Sequence, residues 1–232
     1  MSSDPSTVPS PAPSGPTPSP TLAPTDKVSS LVWQGGANLR YIEGDSGLEI
    51  TGDAGSCSGG RGFETALASY GGEVDVNATF VLSLADDDVM YPSLSVFPVQ
   101  SSFSTGTCSG RIAVMLQYHY WGYGSLYLFG ERSQQSTGLN NLQAGSQYTL
   151  RLVHSLQQGQ TRGYLYGPVS VSGSGPGPLL ASTSPMNEVF SRSVKVGFAD
   201  SRQRGWTALS SMGINGKLHY EINHDKIFIF GL

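Results

Sequence analysis

Apolar and polar residues alternate along most of this chain. From Val74 to Leu84 the apolar positions are Val74, Val76, Ala78, Phe80, Leu82 and Leu84, a period of two that predicts a β-strand with one buried face. Leu31-Val32-Trp33, Leu39 to Ile42, Leu48 to Ile50, Leu94 to Phe97, Arg111 to Tyr120 and Ser125 to Phe129 read as further strands. The pattern continues through Tyr148 to Val153, Gly163 to Tyr166, Val194 to Phe198, Leu209 to Met212 and Lys217 to Ile222. No long segment keeps a helical period. Ile227 to Phe230 is an unbroken apolar run that would invite aggregation if exposed, so it is expected to be a buried strand, paired with Leu31 to Trp33. More than ten strands without helices predict two packed antiparallel sheets, because one open sheet of that size would curl or split.

The first residues have a different texture. Residues 1–27 hold eight of the 14 prolines, with Ser, Thr, Ala and Gly supplying most of the rest. Such a stretch has too little apolar surface to offset the cost of ordering its backbone, and it is expected to be a disordered Pro/Ser/Thr-rich linker. Residues 28–232 are expected to form one sandwich domain, since 38% hydrophobic composition suffices for one core and 30 glycines supply many tight turns. Pro/Ser/Thr tracts commonly separate extracellular modules, so the domain is expected outside the cell or on its surface, fused to or displayed with other modules. No apolar run near Met1 resembles a leader, so export would use one upstream of this stretch or another route. No stretch approaches the roughly 20 apolar residues of a spanning helix.

Charge narrows the partners. Only 13% of residues are charged and the formal net charge is −4, which leaves no basic face to capture nucleic acid or an anionic membrane. Asn, Gln, Ser, Thr and Tyr must supply the polar surface, which suits hydroxyl-rich ligands and a structural extracellular domain equally. The two cysteines sit in matching loops, Gly55-Ser56-Cys57-Ser58-Gly59 and Gly106-Thr107-Cys108-Ser109-Gly110, and a Cys57–Cys108 disulfide is expected. Asn77-Ala78-Thr79 is a glycosylation sequon within a predicted strand.

Several packing motifs resemble one family. Phe63-Glu64-Thr65 leading into Gly72 to Phe80 looks like the strand entry of concanavalin A-like and laminin-G-like sandwiches. Gln147 to Leu152 followed by Thr161 to Gly167 is similar to their core hairpin, and Val196-Gly197-Phe198-Ala199-Asp200 matches the strand that follows. The resemblance implies an all-β, two-sheet antiparallel jelly-roll sandwich, and it speaks for fold more than for function.

Within that superfamily, family 16 glycoside hydrolases carry Glu-x-Asp-x-Glu or Glu-x-Asp-x-x-Glu on one strand. This chain has Glu73-Val74-Asp75-Val76-Asn77-Ala78, so Glu73, Asp75 and Asn77 share a face, and Glu73 and Asp75 would match the nucleophile and its helper. The last position is Asn77, which cannot serve as the acid/base. Other catalytic patterns fail on context. Gly44-Asp45-Ser46-Gly47 has no histidine upstream, the first being His119. Gly173 to Pro178 neither follows a parallel strand nor opens a helix, and His219, His224 and Asp225 lack zinc-site spacing, so Asn223-His224-Asp225 reads as a hairpin turn.

Two constellations point to binding. Asp86-Asp87-Asp88 ends a strong strand and could hold Ca²⁺ with backbone carbonyls, as calcium sites do in the resembling lectins; three acids are also a good strand stop. Tyr118-His119-Tyr120-Trp121-Gly122-Tyr123 packs five rings into six residues. Alternation sends Tyr118 and Tyr120 to one face and His119 and Trp121 to the other, with Tyr123 at the turn, and one of these faces must be core. Arg202-Gln203-Arg204-Gly205-Trp206 reads as a polar loop with one aromatic ring. The expected ligand set is therefore Tyr118, His119, Tyr120, Trp121, Tyr123, Arg202, Arg204 and Trp206, with a polysaccharide or glycan as partner. The expected function is a noncatalytic, lectin-like carbohydrate-binding module. The alternatives are a glycoside hydrolase or lyase of the same fold, and an adhesive domain that contacts protein.

Overall fold

A computed structural model describes residues 32–34, 38–41, 48–51, 61–66, 72–83, 89–98, 110–119, 121–169, 176–190, 194–200, 206–223 and 226–229. The 1–27 linker and both cysteines of the expected disulfide lie outside them. The described residues form two antiparallel sheets and include no helix long and apolar enough to cross a membrane.

The first sheet has eight strands. Its order is β1 (Val32–Gln34), β4 (Arg61–Ala66), β14 (Val194–Asp200), β7 (Pro92–Pro98), β8 (Ile112–His119), β9 (Gly124–Phe129) and β10 (Gln134–Leu139), with β6 (Val89–Met90) also on β8. The second has nine. Its order is β13 (Leu179–Ser182), β12 (Gln160–Val169), β11 (Gln147–Ser155), β5 (Glu73–Ser83), β15 (Trp206–Ile214), β16 (Lys217–Asn223) and β17 (Lys226–Ile229). β2 (Asn38–Tyr41) joins through β3 (Leu48–Thr51), which pairs with β15. This is a two-sheet antiparallel sandwich, as the alternating pattern predicts, of the jelly-roll form that the resemblance implies.

The alternation builds the core directly. Val74, Val76, Ala78, Phe80 and Leu82 of β5 are fully buried, as are Tyr148, Leu150 and Leu152 of β11. They meet Leu94 and Val96 of β7, Val114 and Leu116 of β8, and Val194, Val196 and Phe198 of β14 in one continuous cluster. Leu209 and Met212 of β15 are three residues apart, yet both reach the core. The ladder explains it: Leu209 faces Phe80 and Ser211 faces Thr79, so Ser210 is an extra residue that resets the alternation.

The final strand corrects one expectation. Ile227 to Phe230 was expected to pair with Leu31 to Trp33, but β17 pairs with β16 and β1 pairs with β4, in different sheets. Asn223 faces Lys226, while His224 and Asp225 of the expected hairpin turn lie outside the described residues; pairing strands so near in sequence costs far less loop entropy than pairing across the whole chain.

The two sheets approach closely where Gly163 of β12 meets Val114 of β8. A Cβ on Gly163 would lie 2.6 Å from Val114 Cγ2, and Gly163 N–H also donates to Thr183 Oγ1 at 3.0 Å. Gly163→Ala therefore overpacks the core and is expected to cost about 1–3 kcal/mol in a urea unfolding curve. An unchanged midpoint would mean that the layers part freely here.

Residues 183–190 close one side of the sandwich through a buried polar relay. Phe190 N–H donates to His154 Nε2 at 3.1 Å, so the proton of the neutral ring sits on Nδ1, which meets Thr161 Oγ1 at 2.9 Å. Thr161 Oγ1 in turn donates to the Glu188 carbonyl at 2.7 Å. His154 is fully buried, and burial pushes its pKa down from 6.5 to about 4. The Glu188 carboxylate accepts from the Glu131 and Arg132 N–H groups and from Ser133 Oγ, at 2.9, 3.1 and 2.6 Å.

Candidate functional site

The aromatic run falls at the β8–β9 connection, where the alternation resolves as expected into an inner and an outer face. Tyr118 is a correction: expected among the ligand-binding residues, it is 1% exposed and part of the core, because β8 turns it inward beside Leu116. His119, one residue on, faces outward. Tyr120 lies outside the described residues, as do Arg202 and Arg204. Trp206 does not belong to a loop; it opens β15 opposite Ser83. Asp86, Asp87 and Asp88 also lie outside, and among the described residues no group of three or more His, Cys, Asp or Glu could hold a metal.

The outward rings form a ladder. His119 and Tyr123 stack at 4.9 Å with planes 23° apart, and Tyr123 stacks on Trp121 at 5.7 Å and 22°. The backbone fixes this order. His119 N–H donates to the Tyr123 carbonyl and Gly122 N–H to the His119 carbonyl, each at 2.9 Å. Gly122 adopts a φ of +84°, and a Cβ there would lie 2.9 Å from the Leu142 carbonyl oxygen, so the turn requires glycine. Leu142 N–H then donates to the Gly122 carbonyl at 2.7 Å, which brings up the loop carrying exposed Asn140, Asn141 and Gln143. The result is a stack of nearly parallel rings whose end member, Trp121, is 64% exposed, beside amide side chains that both donate and accept.

A second feature lies on the outer face of the nine-stranded sheet. Register places Glu73, Ser155 and Gln160 in one row, Asp75, Val153 and Arg162 in the next, and Asn77, Arg151 and Tyr164 in a third. Arg151 grips Asp75 with two hydrogen bonds, Nε to Oδ1 at 2.8 Å and Nη2 to Oδ2 at 2.6 Å. Its guanidinium also lies 5.7 Å above the Tyr164 ring and reaches the Tyr166 hydroxyl at 3.4 Å. Beside this cluster is a groove of about 300 Å³, walled by Glu73, Arg151, Arg162 and Tyr164, with Val153, Ser155, Gln158 and Gln160 completing its lining.

Glu73, Asp75 and Asn77 thus share a face, as the strand period required. A retaining hydrolase needs two carboxylates facing each other across a cleft. Here Asp75 is bound by Arg151, and among the described lining residues Glu73 is the single carboxylate. The groove itself was missed by the sequence reading, although outward Arg151, Arg162, Tyr164 and Tyr166 at spacings of two and across one hairpin were its visible signal.

No protein-family model matches this sequence, and no curated protein matches it. Solved structures do. A legume lectin-like domain from Entamoeba histolytica aligns over 84% of this chain and 91% of its own, with a TM-score of 0.54 at 9% identity. Lectin II from Ulex europaeus aligns over 80% of this chain and 92% of its own, with a TM-score of 0.52 at 12% identity. The carbohydrate recognition domain of Emp46p, in a potassium-bound form, aligns over 80% and 88%, with a TM-score of 0.51 at 11% identity. At such identities the likeness is one of fold: the chain adopts the concanavalin A-like lectin sandwich.

Proposed function

We propose that this concanavalin A-like sandwich is a noncatalytic carbohydrate-binding module of an extracellular or surface protein, taking its glycan on the Trp121–Tyr123–His119 ladder. The observation that carries the reading is the exposure of a stacked indole. Burying Trp121 would favour folding, yet 64% of its surface faces water while a glycine-specified turn holds it against Tyr123. Ring faces of this kind stack on the C–H faces of sugars, and the exposed amides of Asn140, Asn141 and Gln143, on the loop tied to Gly122, would read the hydroxyls. Asp86, Asp87 and Asp88, which lie outside the described residues, extend the proposal to a bound calcium ion.

The test is a glycan array on the full chain, with and without chelator, followed by calorimetric titration of the best ligand. Trp121→Ala is expected to weaken binding by about tenfold or more, through loss of stacking of roughly 1 kcal/mol and of the area it covers, without lowering the unfolding midpoint. Loss of binding with chelator would support the calcium arm. A folded protein that binds no glycan would overturn the proposal and favour an adhesive domain.

A further inference from the structure

The groove on the outer face of the nine-stranded sheet stands apart from the ladder, and its chemistry is different. Two acids, Glu73 and Asp75, meet two cations, Arg151 and Arg162, so the formal charge of these four described residues is zero and the patch itself favours neither an anion nor a cation. The hydrogen-bonding groups are of both kinds. Glu73 accepts, Arg162 donates, and Gln158 and Gln160 do both. Val153 and Tyr164, both half-buried, supply the apolar part of a lining that is otherwise polar. The volume, about 300 Å³, is at the small end of ligand clefts and suits a short ligand better than a wrapped polymer.

A small apolar patch, Val153 and Tyr164, among balanced donors and acceptors is complementary to a molecule with C–H faces and a rim of hydroxyls. We propose that this groove is a second, independent binding site, for a neutral saccharide unit. Val153 and Tyr164 take the C–H face of the ring. Glu73 accepts from adjacent hydroxyls, and Arg162, Gln158 and Gln160 donate to ring and hydroxyl oxygens. Asp75 and Tyr166 take three of the five N–H donors of Arg151, and its guanidinium positions Tyr164 by lying across its ring.

The experiment is an NMR titration of the isotopically labelled full chain with neutral gluco-, manno- and galacto-oligosaccharides at millimolar concentration, and with an oligogalacturonate as the anionic counterpart. The side-chain amide signals of Gln158 and Gln160 and the Nε–H signal of Arg162 are expected to move with a neutral sugar, and to move equally in Trp121→Ala. Glu73→Gln and Arg162→Gln, both surface changes, are expected to weaken that response about tenfold each. Groove signals that stay still with every neutral sugar would overturn the inference, even if the ladder signals shift. Tighter, salt-sensitive binding of the oligogalacturonate would overturn it as well, because the site would then select charge. Groove shifts with an inert ladder would support it while removing the reading of the previous subsection.

Discussion

Phe80→Ala destabilises the domain by about 3–5 kcal/mol, the largest loss expected of any single truncation discussed for this chain. Phe80 is fully buried at the middle of β5, the strand that β11 and β15 flank on either side. Its ring meets that of Phe198, on β14 of the other sheet, at 5.6 Å and a 37° tilt. Removing it takes away transfer free energy and an aromatic pair, and it opens a cavity that two hydrogen-bonded sheets cannot collapse to fill. Urea unfolding measures the effect. Phe80→Leu, which keeps much of the volume, should lose far less, and Phe80→Ala with Phe198→Ala should fall short of the sum because the two rings share one contact. A loss below about 1 kcal/mol for Phe80→Ala would show that this face of β5 is not the centre of the core.

The second large effect is a loss of stability in mild acid, set by His154. Its folded pKa is about 4 against an ordinary 6.5, so between those values the unfolded chain binds a proton that the folded chain refuses. The contribution is fully present above pH 6.5 and falls as pH drops towards 4, where the folded ring also protonates and the slope ends. Over that window the linked loss is about 3 kcal/mol. Burial is the reason, since a charged imidazolium would lose its hydration there; in addition, Nε2 accepts from Phe190 N–H, so a proton on it would set a donor against a donor. Denaturant midpoints followed across the window should decline steeply in the parent and less in His154→Gln, whose carboxylates titrate as before. Parallel curves for the two proteins in the upper half of the window would dismiss His154 as the source.

How much of this was legible beforehand depends on where each strand sits. Central strands declare themselves, because one or both faces are buried: β5 shows five apolar residues in register, and β7 and β8 are nearly as clear. β10, Gln134–Leu139, went unread for the converse reason. It ends its sheet, its side chains alternate between exposed and half-buried until Leu139, and Gln and Ser satisfy such a position as well as Val would. β13 was missed likewise, with Leu179 and Leu180 left 55% and 40% exposed on an edge. The ladder was half legible. Alternation separated Tyr118 from His119, but that Tyr123 swings back between His119 and Trp121 depends on the left-handed backbone of Gly122, which sequence spacing does not reveal. The groove was least legible, since its rows are assembled by register across three strands, and period alone says nothing about register.

The segment from Ser182 to Phe190 has a mechanical consequence. It belongs to the margin of the nine-stranded sheet, yet Gln135 Nε2 and Thr137 Oγ1 of the other sheet donate to its carbonyls at Pro185 and Ser182, and the Glu188 carboxylate captures the β9–β10 bend. Two greasy layers in contact resist being pulled apart but oppose sideways gliding only weakly, because dispersion has no direction. Directional bonds along this margin act as rivets against shear, so a module under tension is held in alignment by its seam, and its interior need only stay dry.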